Sequence, residues 1–333
     1  MLDCQVAEVT SYAALAIAPW RCMTNPQKGA MEGCVMTMED FYNALKEIFP
    51  EKFKLDDGSL FYHYTTIDTF DKLVDEGGEL YCTHYMDLND DVEFWKGFGY
   101  FEKYLLERKF SDAGKEHIGE LKTYLMKLKT TWQALHKLHT DVPWIMSFTT
   151  EKDSLSQWRA YTDRARGGIA IGFSKEDLES EIRKCCDETL TKKSVMLLPC
   201  IYQGTDVNER LDKLLGQLIG DEPSQLVQNE GLLRILFSII KDHSFESEHE
   251  WRIVVHTADN ASLAGVKIIG NKARIPIGIG AQGAYNIRNL VREVIISPHG
   301  DKNRLWHSVL VPLYSSPPLK CNRESSGLTY NGK

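Results

Sequence analysis

The stretch Lys241–His256, KDHSFESEHEWRIVVH, constrains the fold more than any other part of the chain. Its period is two. Read as a strand over 244–256, it puts Phe245, Trp251, Ile253 and Val255 on one side. Glu246, Glu248, Glu250 and Arg252 fall on the other. Neighbouring carboxylates on such a face stand roughly 6.5–7 Å apart. They repel unless solvent, a cation or a substrate separates them. Taken alone, the stretch slightly favours a solvated face with Glu250 paired to Arg252 over a functional site.

The remaining composition narrows the function classes. A chain of 333 residues, 43% hydrophobic and 26% charged, can bury a sizeable core and reads as a soluble globular protein. The formal net charge of −8 argues against a broad sequence-blind DNA surface, although a local basic groove stays open. No apolar run reaches the length of a membrane span, and Asp3 and Glu8 flank the short run Tyr12–Ala18 where a signal peptide would be basic. Cytoplasmic residence without a membrane partner is the expectation. The eight cysteines include no C-x-x-C pair, so reduced thiols are expected rather than a metal site.

Taken in order, residues 1–36 read as an irregular lead-in and 37–315 as a single α+β domain. Thr37 caps a helix stopped by Pro50. A strand at Leu60–Tyr64, a helix capped by Thr66 or Asp68 and a strand at Glu79–Thr83 form a compact unit. A helical insert follows at about 92–140, where His136 and His139 lie without a third metal ligand. Val142–Phe148 is a strand, Leu155–Tyr161 a short helix, Ile169–Phe173 a strand, and Ser174 caps the next helix. That helix spacing sets Trp158 and Tyr161 one turn apart, as core or as a stacking platform for a flat ring. A strand at Val195–Tyr202 and helices at 207–221 and 225–240 lead to the acidic strand. Strands at Val266–Ile269, Arg274–Ile279 and Val291–Ser297, a helix at Asn303–Val309 and a strand at Val311–Tyr314 complete the domain. Residues 316–333 read as a disordered tail. Gly167-Gly168 is too short for a phosphate cradle, and no dinucleotide fingerprint is present.

Four landmarks recur in one order: F-Y-H-Y-T-T at 61–66, N-D-D-V-E at 89–93, the segment from S-F-T through D-S-L-S-Q-W-R-A-Y to G-G-I-A-I-G-F at 147–173, and F-E-S-E-H-E-W-R at 245–252. Over about residues 60–315 the chain resembles the bacterial domain-of-unknown-function family twenty-nine seventy-one. Asp91 stands where that family usually has Pro, which puts the shape of its loop in question. A fainter resemblance is to ADP-ribosyltransferase-type folds, which open on a strand ending in His-x-Thr and carry E-x-E on a late strand. That resemblance implies a mixed or antiparallel sheet core with a helical insert, and NAD as cofactor. It implies that His63 and Thr65 bind NAD, that Tyr161 or Trp158 stacks on nicotinamide, and that Glu250 is catalytic with Glu248 as the first acid of the pair. Glu246 and Glu248 fit the same spacing. Lys241 and Arg252 either neutralise a pyrophosphate or hold the acids in place, the latter being favoured for Arg252.

The expected function is therefore transfer of ADP-ribose to a macromolecule, protein or nucleic acid, in the manner of a bacterial toxin or anti-phage effector that a partner protein neutralises. Two other readings stand beside it. One is a metal-dependent nuclease using Glu246, Glu248, Glu250 and Asp90 as ligands. The other is a non-enzymatic sensor or interaction domain whose acidic strand is an Arg-paired surface.

Overall fold

The computed structural model describes residues 36–56, 58–75, 78–88, 93–107, 143–187, 193–219, 229–257, 266–277, 287–314 and 319–328, with a few positions between 123 and 130. The lead-in over 1–35, most of the expected insert with Trp132, His136 and His139, and Asp90 and Asp91 lie outside the described residues.

The strands are β1 (Leu60–Thr66), β2 (Tyr81–His84), β3 (Trp144–Thr149), β4 (Gly168–Ser174), β5 (Lys193–Pro199), β6 (Ile201–Tyr202), β7 (Ile240–Lys241), β8 (Glu250–Thr257), β9 (Lys267–Ile269), β10 (Lys272–Pro276), β11 (Val291–Ile296) and β12 (Asn322–Ser325). The helices are α1 (Met38–Ile48), α2 (Pro50–Phe53), α3 (Ile67–Val74), α4 (Glu93–Glu107), α5 (Leu155–Tyr161), α6 (Lys175–Asp187), α7 (Thr205–Ile219), α8 (Glu230–Ile239) and α9 (Lys302–Tyr314). Local chemistry sets several boundaries. Thr37 and Asp40 close a capping box on α1, Pro50 opens α2, and the Thr66 hydroxyl accepts from the Thr69 N–H to start α3.

One mixed sheet of 10 strands organises the chain in the order β12-β11-β4-β1-β3-β2-β10-β9, with β8 also paired to β3 and β5 to β8. The pairing of β3 is the feature that makes a site. One edge of β3 runs along β8 from Trp144↔Val255 to Thr149↔Glu250. The other edge is divided: β1 meets it at Tyr62↔Thr149, and β2 only at Thr83↔Ile145 and His84↔Trp144. Between those points, over Met146–Phe148, β1 and β2 diverge and leave a rift in the sheet.

Side-chain alternation assigns the two faces. Phe61, Phe148, Phe173, Trp251 and Ile253 share one face and are buried in the main core. There Phe53 of α2 meets Trp251 edge-on at 5.8 Å. Tyr62, Tyr64, Ser147, Glu250 and Arg252 share the opposite face. α5 covers part of it, with Trp158 buried among Tyr62, Tyr64, Ala170 and Ile295. α4 and α8 pack together at the other end of that face through Phe94, Phe98, Phe101 and Phe237. Gly172 serves this arrangement by its missing side chain. The Tyr62 ring lies over it to donate to Glu293 at 2.6 Å, and a Cβ there would stand 3.0 Å from that ring.

The acidic segment differs from its expected form. Only Glu250 onward is strand; His243–Glu248 is a 3-10 helix, and His249 turns the chain at φ +42°. Asp242 starts the turn by accepting from the Ser244 N–H at 2.9 Å, and the Thr149 hydroxyl holds its end by donating to the Glu248 carbonyl at 2.6 Å. Phe245, Glu246 and Glu248 therefore leave the strand's faces. Two further expectations fail near the C-terminus. Val311–Tyr314 continues α9, with Pro312 inside the helix, instead of forming a strand. The tail is ordered over 319–328: Leu319 is buried, and β12 pairs parallel to β11 from Glu293↔Asn322 to Ile296↔Ser325. Asn-Arg-Glu-Ser has no apolar alternation because every one of these side chains is exposed; backbone pairing to an open edge holds the strand. No helix among the described residues is long and apolar enough to cross a membrane.

Ending the chain at Tyr314 tests the role of the tail. Exposing the edge of β11 and losing buried Leu319 is expected to lower Tm by about 2–5 °C. An unchanged Tm would contradict the pairing of β12.

Candidate active site at a rift in the sheet

The rift opens into a cavity of about 540 Å³, within the usual range for small-molecule sites. Its walls come from β1, β2, β3, β8, β10, α3, α5 and the start of α4, together with Lys241 and the turn before β8. A cavity between diverging strands leaves backbone groups to be satisfied by side chains. His63 does this: its Nδ1 lies 2.9 Å from the Ser147 carbonyl. A carbonyl can only accept, so Nδ1 carries the proton and Nε2 is the acceptor of the neutral ring. Burial lowers the His63 pKa; the Ser147 bond opposes the shift, and the nearby Arg274 charge adds to it. His63 is thus held neutral in a known tautomer.

Beside it lies a buried ion cluster. Arg252, 3% exposed, donates from Nε to Glu250 Oε1 at 2.7 Å and from Nη2 to Glu93 Oε2 at 2.6 Å. Its Nη1 donates to the Ser238 carbonyl at the end of α8. Lys241, 4% exposed, bonds Glu250 and also reaches Glu248 at 2.7 Å and Glu93 at 3.2 Å. Three carboxylates against two cations leave one excess negative charge. Burial by itself would raise the Glu250 pKa, but Arg252 and Lys241 outweigh it and hold the group at about 2. Glu250 is therefore a permanent carboxylate at the cavity wall. Burial and the charges of Glu250 and Glu248 push the Tyr161 phenol upward, so it stays protonated.

Of the residues singled out by sequence, the structure brings His63, Thr65, Tyr161, Glu248, Glu250 and Arg252 together around the cavity. Glu248 arrives from the 3-10 turn and not from the strand, drawn in by Lys241. Trp158 does not reach the cavity. It is fully buried on the sheet side of α5, donates to Asp153 at 2.7 Å and meets Tyr64 edge-on at 4.6 Å. One turn on a helix of this length is enough to send Trp158 into the core and Tyr161 to the wall. The four-acid nuclease set does not assemble, because Glu246 turns to Lys52 at 3.5 Å and His243 at 3.2 Å. Asp90 lies outside the described residues.

Sequence reasoning passed over Glu93, Lys272 and Arg274, all of which line the cavity. Glu93 had a signal, as the last residue of N-D-D-V-E. Lys272 and Arg274 had none, since a short strand of alternating charge reads as a solvated edge.

Two stability measurements check the cluster. Arg252→Met leaves Glu250 and Glu93 under-compensated, and urea unfolding at pH 7 should show a loss of about 3–5 kcal/mol. A loss below about 1 kcal/mol would contradict burial of the network. The Glu250 pKa is depressed from 4.5 to about 2 in the folded protein. Its contribution is thus complete above pH 4.5 and disappears as pH falls toward 2. Acid titration of stability should show that loss in wild type, and a smaller one in Glu250→Gln.

No curated protein and no solved structure matches the chain. A family model, described as protein of unknown function (DUF2971), matches residues 157–253. That span runs from Gln157 in α5 to Ile253 in β8 and includes Tyr161, Lys241, Glu248, Glu250 and Arg252. It is the family to which the sequence motifs pointed, and over residues 157–253 the chain carries the sequence signature of the DUF2971 family.

Proposed function

We propose that the cavity binds NAD and that the protein is an ADP-ribosyltransferase acting on a macromolecular acceptor, built on an ADP-ribosyltransferase-like sheet. The observation that carries this reading is a buried carboxylate, Glu250, kept ionised at the wall of a cavity that also presents a neutral imidazole and an aromatic ring.

The chemistry asks for such a set. Nicotinamide in NAD is already cationic, so the bond from its nitrogen to ribose C1′ breaks with the electron pair returning to the ring and no proton required. The demand falls on the oxocarbenium-like ribose left behind. A fixed carboxylate in a dry site stabilises that charge without reorganising, which is the role given to Glu250. A general acid is not needed, and Glu250 at a pKa of about 2 could not be one near neutrality. Glu248, with 18% of its side chain exposed, is better placed to meet an acceptor from solvent. It would take the proton from the acceptor as the acceptor bonds to C1′. His63 Nε2 would accept from a ribose hydroxyl, and the Tyr161 ring would flank nicotinamide.

The nuclease reading loses support because Lys241 and Arg252 already occupy the acids that would hold a cation. The same pairing favours a structural role for Glu250 as the rival account, and one assay separates the two. Purified protein with cell lysate should release nicotinamide from NAD, and Glu250→Gln should cut that rate by about 10²-fold or more while remaining folded. Glu248→Gln should retain release and slow transfer to the acceptor. Folded Glu250→Gln releasing nicotinamide at the wild-type rate, or wild type releasing none, would overturn the proposal.

A further inference from the structure

Arg274, half-buried, stands apart from the two buried cations of the cleft. Arg252 and Lys241 spend their charge on Glu93, Glu248 and Glu250. Arg274 projects from β10 on the opposite wall of the same cavity, opposite Thr83 of β2 in register. Its Nε is buried without a hydrogen-bond partner, and no carboxylate among the described residues pairs with it. Burial alone depresses its pKa. Lys272, two residues earlier on the same face, also lines the cavity, as do Thr65 and Thr69.

A guanidinium taken partly out of water without an anion is unfavourable, and a fold retains one where a ligand completes it. Arginine presents a planar fork of donors that matches phosphate oxygens two at a time. The position also suits a ligand with separated charges. Arg274 is three strands from Arg252, through β2 and β3, which is about 14 Å between backbones at the usual strand spacing. One end of the cavity thus carries an excess of negative charge, and the wall across the rift carries positive charge.

We propose that Arg274, supported by Lys272, is a phosphate subsite that receives the pyrophosphate of a dinucleotide whose ribose lies toward Glu250. Its ligand identity rests on the NAD reading, while the anion specificity rests on Arg274 itself.

Calorimetric binding of ADP-ribose and of phosphate-free nicotinamide riboside to wild type, Arg274→Gln and Arg274→Lys tests the subsite. ADP-ribose should weaken about tenfold or more in Arg274→Gln and less in Arg274→Lys, with riboside binding unchanged within about twofold. Arg274→Gln should also keep or raise Tm, because a half-buried charge without a carboxylate partner is removed; a structural arginine would lower it. Equal ADP-ribose binding by wild type and Arg274→Gln, or none by wild type, overturns the subsite, whatever the nicotinamide assay shows. Arg274-dependent ADP-ribose binding without nicotinamide release upholds the subsite and overturns the catalytic reading instead.

Discussion

Burying Glu250 and Arg252 two residues apart on a central strand commits the surrounding structure to a particular electrostatic solution. Neither charge survives burial alone, since each would lose its hydration without repayment. Arg252 therefore binds Glu250 and Glu93, and Lys241 closes the cluster by reaching Glu93, Glu248 and Glu250. These bonds draw in α4 through Glu93, the end of α8 through the Ser238 carbonyl, and the turn before β8 through Glu248. Segments far apart in the chain are thereby fixed around one carboxylate, and its ionisation is decided by the fold and not by solvent.

The second constraint is the divided edge of β3. Because β1 and β2 each pair with only one end of it, the middle of β3 faces a cavity in place of a neighbouring strand. The rift lets residues from both sheet faces meet. His63 belongs by alternation to the face of Phe61 and Phe173, whereas Glu250 belongs to the other. A continuous sheet would have kept them apart. The rift joins a negative cluster, a neutral imidazole and the Arg274 wall in one space, and the proposed NAD site rests on this combination.

How far the sequence reveals this depends on what holds each element. Where apolar alternation or capping carries the structure, the reading is close. Leu155–Tyr161 is the helix expected, Thr37 and Thr66 are caps, and the cores of β1, β3, β4 and β11 lie where their apolar residues suggest. Where other forces decide, it fails. The run Phe245–Glu248 has strand periodicity, yet the Asp242 cap and the pull of Lys241 on Glu248 bend it into a 3-10 turn. The polar tail forms β12 through backbone bonds that leave no pattern in side chains. Trp158 and Tyr161 share a helix and an aromatic character, and only the packing of Tyr64 and Asp153 against Trp158 assigns one to core and the other to cavity. Arg274 becomes visible only when its partners are counted in space.

The most direct measurement is a crystal structure of the protein with NAD or a non-hydrolysable analogue bound. Density is expected in the rift, with the nicotinamide ribose in hydrogen-bond reach of Glu250, His63 beside a ribose hydroxyl and the pyrophosphate against Arg274. NAD bound elsewhere, or in the rift with its phosphates turned toward Glu248 and Glu250, would contradict the proposed site.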